Sequence, residues 1–282
     1  MKQELGRQTK MRKLVTLLRK MRGVAVAFSG GVDSTFLAAV AARELGDRAL
    51  LVTALSPTYP AHEQKEASKL AARLGIRHIC VDSDELLIPG YKENPPDRCY
   101  HCKAELFKVL RRVADKAGIR WIADGTNADD LGDYRPGRRA AEEHKVRSPL
   151  LEAGLSKNDI RALSREMNLP TADKPAYACL ASRVPYGSMI TTEKLSAIDK
   201  VETGIRKLGF GQVRVRHHGE ICRIEVEPDA VGRVCLPAAR LKIVALAKRA
   251  GFRYVSLDLE GYRTGSMNEV LKKAPGRAKG SR

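Results

Sequence analysis

The sequence predicts an α/β fold: an open, doubly wound parallel sheet followed by a second, smaller α+β domain. Three observations carry this. From residue 23 to residue 123, short apolar runs alternate with helical segments. A glycine-rich loop joins the first run to the helix after it. Near residues 186–192 the continuous apolar runs give way to alternating ones.

The elements follow in order. Leu14, Leu17, Leu18 and Met21 recur at helical spacing, so residues 2–21 read as an amphipathic helix. This segment has no uninterrupted apolar stretch, which argues against a cleaved secretory signal. GVAVAF at 23–28 is a continuous apolar run and predicts a buried parallel strand. A helix over Thr35–Leu45, a strand over Ala49–Leu55, a helix over Ala61–Leu74 and a strand over Arg77–Val81 come next. Cys102–Ala117 predicts a helix and Ile119–Ala123 a fourth strand. Such sheets bind ligands beyond the carboxyl ends of their strands. In the second part, Glu193–Leu208 predicts a helix. VRVR and CRIEVE, within 212–218 and 221–227, alternate as a half-exposed antiparallel hairpin turning at His217-His218-Gly219-Glu220. A helix over Leu236–Ala250 and a strand over Tyr254–Leu259 complete it. The expected domains are 1–188, 189–262 and a basic tail at 263–282.

The chain has 282 residues, 43% hydrophobic and 30% charged, which suits a folded domain or two and excludes a disordered chain. No apolar run approaches the roughly 18 residues of a membrane span. Six cysteines without an export signal imply a reducing cytoplasm, and metal or catalytic use rather than a disulfide framework. The net charge of +18 is mostly terminal: +7 over 1–23, +8 over 240–282, and only +3 between. A nucleic-acid channel would load the catalytic body with basic residues, so nucleic acid is disfavoured as a partner.

The sharpest motif is Ser29-Gly30-Gly31-Val32-Asp33-Ser34, set between strand and helix. There, free backbone N–H groups and a helix N-terminus aim at one point, an arrangement that binds phosphate. Gly30 and Gly31 permit close approach, Ser29 and Ser34 add hydroxyls, and Asp33 can hold Mg²⁺ or cap the helix. The loop lacks the Gly-Lys-Ser/Thr of a Walker A motif and is not GxGxxG. A second segment, Gly125-Thr126-Asn127-Ala128-Asp129-Asp130, starts where the fourth strand ends and reads as an Asx-type turn at the same sheet edge. A basic loop follows, with Arg135, Arg138, Arg139 and Arg147, suited to phosphate or carboxylate.

Cys99 and Cys102 form one C-x-x-C at the head of a helix, able to chelate a metal or to form a redox disulfide. No second C-x-x-C exists, which excludes a closed four-cysteine zinc site written in the sequence. Cys179 lies in a loop. Three thiolates and one open iron would hold a 4Fe–4S cluster able to take an extra sulfide. Cys80 is expected in the core, Cys222 and Cys235 receive no chemistry, and neither does His101 between the paired thiols.

SGGVDS resembles the PP-loop of ATP pyrophosphatases. Together with NPPDRCYHCK, DGTNADD, RPGRRAAEEHKVRSPL, KPAYACLASRVPYG and VRVRHHGEICRIEV, it makes most of residues 12–260 resemble the LarE family of ATP-dependent sulfur transferases. That resemblance implies ATP and Mg²⁺ as cofactors, bound at Ser29, Gly30, Gly31, Asp33, Ser34, Gly125, Thr126, Asn127, Asp130 and Arg138. It implies a pyridinium-3,5-dicarboxylate mononucleotide substrate, thiolated for the nickel-pincer nucleotide of lactate racemase. One carboxylate is adenylylated, and sulfur then replaces the AMP-bearing oxygen. Members with one cysteine give up its sulfur and leave dehydroalanine. Members with three resemble this chain at Cys99, Cys102 and Cys179 and use a 4Fe–4S cluster. Arg214 and Arg216 are two apart on a strand and share a face, as a phosphate site would need. Glu202 and Glu225 join them by resemblance alone. The resemblance also implies a cytoplasmic homo-oligomer, a hexamer. The competing readings are a PP-loop tRNA thiolase, a nitrogen-adding synthetase, for which no glutaminase domain is present, and a nucleotide sensor without catalysis.

Overall fold

The computed structural model describes residues 2–132, 136–175, 178–263 and 265–271. Its contacts divide the chain into two compact units, 1–91 with 97–179, and 92–96 with 180–282. Residues 180–188 thus belong to the second unit. There the buried Asn94 amide donates to the Val184 carbonyl at 3.0 Å and the Pro185 carbonyl at 2.7 Å.

The first unit runs α1 (Lys2–Met21), β1 (Val24–Ala27), α2 (Val32–Leu45), β2 (Ala49–Leu55), α3 (Ala61–Arg73), β3 (Arg77–Asp82), α4 (Arg98–Lys116) and β4 (Trp121–Ala123). Three helices then follow where hydropathy assigns none: α5 (Gly137–Glu143), α6 (Pro149–Glu152) and α7 (Lys157–Glu166). The four strands are parallel in the order β3-β2-β1-β4, which puts β1 and its glycine loop in the middle. Alternation along β1 sorts the two faces. Val24 and Val26 join Leu14, Leu18, Phe36, Leu37, Ile160 and Leu163 from α1, α2 and α7. Ala25 joins Phe107, Leu110 and Ala140 from α4 and α5. Helices on both faces make the sheet doubly wound, as its near-continuous apolar strands require. A capping box fixes the start of α7: Ser156 accepts from the Asp159 N–H, and Asp159 accepts from the Ser156 N–H.

One expectation fails here. Cys80 is exposed, not core. It lies on β3, an edge strand, and edge strands keep part of their surface.

The second unit contains α8 (Thr192–Lys207), β5 (Val213–His218), β6 (Ile221–Val226), α9 (Val231–Cys235), α10 (Pro237–Arg249) and β7 (Tyr254–Leu257). β5 and β6 form the expected antiparallel hairpin, and β7 joins β6 in parallel. The expected half-exposure fails, however. Val213 to Arg216 are all buried, so both faces of β5 are covered. The arginines stay inside because carboxylates accompany them, as described below. Most of the expected basic tail, from residue 272 onward, lies outside the described residues.

Candidate active site

The glycine loop leaves β1 and enters α2 with its backbone tightly set. Gly30 has φ +67°, and a Cβ there would stand 3.0 Å from the Ala67 Cβ and 3.1 Å from its Cα. Only glycine accepts that conformation without strain while packing so closely on α3. The Ser29 and Ser34 hydroxyl oxygens lie 3.1 Å apart. The Gly31 N–H donates to Ser29 Oγ at 3.4 Å, and the Ser29 N–H to Ser34 Oγ at 3.3 Å. These bonds are long and neutral, so the charge-assisted bonds of a phosphate can displace them.

Asp33 does not cap α2. Its Oδ2 accepts from Lys157 Nζ at 2.5 Å. Burial pushes its carboxyl above the ordinary range, more than Lys157 pulls it down. Oδ1 is buried with no hydrogen-bond partner, an orphaned oxygen suited to a divalent cation. The second segment abuts this point. A Cβ on Gly125 would lie 3.1 Å from the Ser34 nitrogen and 3.3 Å from the Asp33 Cβ. Asn127 Oδ1 accepts from the Asp129 N–H at 2.9 Å, the expected Asx turn, and Asp130 Oδ2 accepts from the Asn127 N–H at 2.9 Å. Thr126 Oγ1 donates to Asp124 at 2.8 Å, and so does Ser148 Oγ at 2.8 Å. Ser29 to Ser34 and Gly125 to Asp130 therefore line one sheet edge. Arg138 sits exposed on α5, 3.4 Å from Glu142. Arg147 pairs with Glu152, its Nε donating at 2.8 Å. Arg135 lies outside the described residues.

The structure adds side chains that no motif announces. Lys174 Nζ reaches the Gly30 carbonyl at 3.3 Å, Glu63 at 2.7 Å and Glu66 at 3.2 Å. Burial alone would lower its pKa, but the two glutamates outweigh burial and raise it. Arg161 donates to the carbonyls of Ala172 at 2.6 Å and Lys174 at 2.8 Å, pinning the segment that leads to Cys179. Tyr59 matters most. Burial, with help from the Glu63 and Cys179 charges, pushes its hydroxyl up to about 12, against the hydrogen bond it shares with Ser29. Tyr59 thus bonds the glycine loop and responds to a charge at Cys179.

The three expected thiols all belong to the first unit. Cys99 and Cys102 open α4, and Cys179 ends an irregular segment. Cys99 reaches the surface, yet its protein surroundings raise its pKa, the Cys179 charge next. Cys102 is also raised by burial, then by Glu85, Cys179 and Cys99. Burial raises Tyr91 too, followed by Cys179 and Cys102. Cys99 and Cys102 thus both respond to a charge at Cys179. Among the described residues, no three His, Cys, Asp or Glu side chains are grouped to hold a single metal ion. A 4Fe–4S cluster makes a different demand, because its cysteines each bind a different iron and stand farther apart. Cys99 and Cys102, both responsive to a charge at Cys179, are the residues present that such a group would use. Cys222 is buried in the second unit, its thiol pushed up to about 12 by burial, and Cys235 is exposed.

The second unit holds a separate, charged core. Arg183, Arg214, Arg216, Glu202 and Glu225 are all buried. Arg183 Nε donates to Glu202 at 2.8 Å, and Arg206 reaches the same carboxylate at 2.5 Å. Arg216 grips Glu225 through Nε at 2.9 Å and Nη2 at 2.6 Å. Burial alone would raise Glu202, but Arg183 and Arg206 outweigh it and hold the carboxyl low. The Arg214 guanidinium stacks on Tyr262 at 5.1 Å, and burial followed by the Arg183 charge pulls its pKa down. Among the described residues of this unit, three buried guanidiniums stand with two buried carboxylates, a composition suited to an anion. Sequence spacing finds Arg214 and Arg216. It does not find Arg183, whose partner Glu202 is on another element.

Comparison with known proteins agrees with this construction. Residues 11–169 match the asparagine synthase family model. Over 267 residues the chain is 38% identical to the pyridinium-3,5-bisthiocarboxylic acid mononucleotide synthase of Lactiplantibacillus plantarum, covering 94% of this chain and 96% of that protein. It is 42% identical over 266 residues to an uncharacterized protein of Synechocystis sp., covering 94% and 99%. A tRNA-specific 2-thiouridylase of Azorhizobium caulinodans is 32% identical over 233 residues, covering 70% of this chain and 60% of that protein. The glycine loop, the family match and a near full-length relative lead to one assignment: the chain belongs to the LarE family of PP-loop ATP pyrophosphatases and is an ATP-using sulfur transferase.

Proposed function

We propose that the enzyme adenylylates a carboxylate of pyridinium-3,5-dicarboxylate mononucleotide and replaces the AMP-bearing oxygen with sulfur, for nickel-pincer nucleotide biosynthesis. The observation that carries this reading is the junction at Tyr59, which shares a hydrogen bond with Ser29 of the glycine loop and lies in the field of Cys179. This supports an activating site and a sulfur site within the same unit.

The chemistry follows from charge. A carboxylate oxygen is a poor leaving group and AMP a good one. The loop N–H groups and the α2 N-terminus hold the phosphates, and Lys157 and Lys174 add positive charge. The orphaned Asp33 Oδ1 would ligate Mg²⁺ against the phosphates. The substrate carboxylate attacks the α-phosphorus, and pyrophosphate leaves. Sulfur then attacks the activated carbon, and AMP leaves. Cys99, Cys102 and Cys179 would hold a 4Fe–4S cluster, which when bound supplies that sulfur at its open iron. Burial and neighbouring charges keep the bare Cys99 and Cys102 thiols protonated, and a cationic centre would offset that cost. In the second unit, the pair Arg214 and Arg216, ordered by Glu202 and Glu225, suits the phosphate of the mononucleotide.

Anaerobic purification, absorption spectroscopy and iron and sulfide analysis test the cluster, on wild type and Cys99→Ala. The expected result is a coloured protein with about four irons per chain, lost in the variant. A colourless, iron-free protein whose Cys179 becomes dehydroalanine after turnover would instead make Cys179 the sacrificial donor. A homo-oligomer, a hexamer, in the cytoplasm is part of the same reading, and light scattering of the purified protein tests the hexamer.

A further inference from the structure

Asn94 is fully buried, and its backbone takes φ +58°, in the left-handed region that favours glycine. Glycine would make that turn with less strain, so the amide side chain calls for a separate explanation. Its Nδ2 donates to the carbonyls of Val184 and Pro185, at 3.0 Å and 2.7 Å. Backbone bonds extend the contact. The Gly187 N–H donates to the Asn94 carbonyl at 3.0 Å, and the Ile190 N–H to the Lys92 carbonyl at 2.8 Å. Both bonded segments belong to the second unit. Removing the amide would leave two carbonyls without these donors, a costly loss in a buried place.

The position of this clamp in the sequence gives it a second consequence. Asn94 precedes Cys99 by five residues, and Val184 follows Cys179 by five. Both intervening stretches are stiff. Pro95 and Pro96 fix two φ angles, and α4 begins at Arg98. On the other side, Leu180–Arg183 forms a 3₁₀ turn that starts directly after Cys179. Cys99 and Cys102 share α4, so the helix sets their spacing. Cys179 lies on no helix or strand and depends on tethers at either side. Upstream, Arg161 holds the carbonyls of Ala172 and Lys174. Downstream, Arg183 is paired with Glu202, and Asn94 holds Val184 and Pro185. Of these three tethers, that of Asn94 joins the Cys179 segment to the segment leading into Cys99.

We infer that Asn94 is a positioning residue for sulfur transfer, one that holds the Cys179 segment in register with Cys99 and Cys102. This rests on the reading of the three cysteines as one sulfur site. Groups that must act on one centre depend on the bonds that orient the segments carrying them. Loss of the Asn94 amide loosens Cys179 relative to the paired thiols and leaves α4 and the glycine loop as they are.

The test uses the reduced, metal-free, full-length protein and bismaleimidoethane, which links two thiols. Peptide mass spectrometry reads the yield of the Cys99–Cys179 product relative to the Cys99–Cys102 product, whose thiols share α4. Asn94→Gly keeps the positive φ and removes the amide, and it is expected to lower this ratio about tenfold. Ile243→Val, a loss of buried packing in α10 of the same unit, should leave the ratio unchanged, which separates positioning from general loosening. Pro96 is exposed, so Pro96→Gly should fold and retain the Asn94 bonds while softening the link to Cys99. A fall of about threefold is expected there. An undiminished ratio in folded Asn94→Gly would overturn the inference, and so would an unchanged ratio in Pro96→Gly, which decides if Asn94→Gly does not fold. A wild type that gives no Cys99–Cys179 product would remove the single sulfur site itself, and the inference with it.

Discussion

Gly30 and Asp33 perform different parts of one task. Gly30 lets the backbone turn with positive φ while it touches Ala67. Gly30→Ala is therefore expected to cost about 1–3 kcal/mol of stability and to weaken ATP binding about tenfold or more. Thermal melts and calorimetric titration with ATP would check it. Asp33→Asn removes the charge opposite Lys157 and the orphaned carboxylate oxygen. The expected result is a folded protein whose ATP affinity no longer responds to Mg²⁺, read by titrating ATP with and without the cation.

Much at this scale was legible. SGGVDS is legible as a strand–glycine loop–helix junction because a strand, glycines and a helix start are consecutive in sequence. Cys99 and Cys102 are likewise marked by spacing. Lys157, Lys174 and Tyr59 are not, since each reaches the loop from another element and only folding reveals the neighbour. Cys80 was misread for a related reason. Its apolar company in RHICV looks like core, but exposure depends on β3 being an edge strand, and strand order is not written locally.

Among the elements, α7 shows how a local signal can be present and passed over. Ser156 and Asp159 form a capping box that starts the helix carrying Lys157 to Asp33. Ser156→Ala is expected to lower stability by about 1 kcal/mol, read in a denaturant melt. Strand β5 teaches the reverse. V-R-V-R alternation suggests a solvated face, yet both arginines are buried because Glu202 and Glu225 enter from α8 and β6. Pattern alone cannot distinguish an exposed charge from one neutralised inside. Glu202→Gln leaves Arg183 buried without a countercharge, and a loss of about 3–5 kcal/mol is expected. The pH dependence has a definite sign. Glu202 is held below its ordinary pKa, so the stability from its ionised form is complete above about 4.3 and is lost as pH falls through the lower folded value. Thermal melts of wild type should fall along that acid limb, and the Glu202→Gln limb should be flatter.

For the molecule as a whole, labour is divided between two units. The first carries the nucleotide loop and the three thiols, and the second carries a buried arginine–glutamate core. The +18 charge is concentrated at the termini, so the reading expects a body that does not grip tRNA phosphates. Binding to tRNA across a salt series should accordingly show weak affinity and no sequence preference.

The central claim is that activation and sulfur delivery are adjoining but separable steps of the first unit. The most direct test incubates anaerobically purified wild type and Cys179→Ala with ATP, Mg²⁺ and the dicarboxylate mononucleotide, measuring released pyrophosphate and thiolated product together. Pyrophosphate release by the variant without any thiolated product is the predicted outcome. Thiolation by Cys179→Ala at the wild-type rate would contradict it.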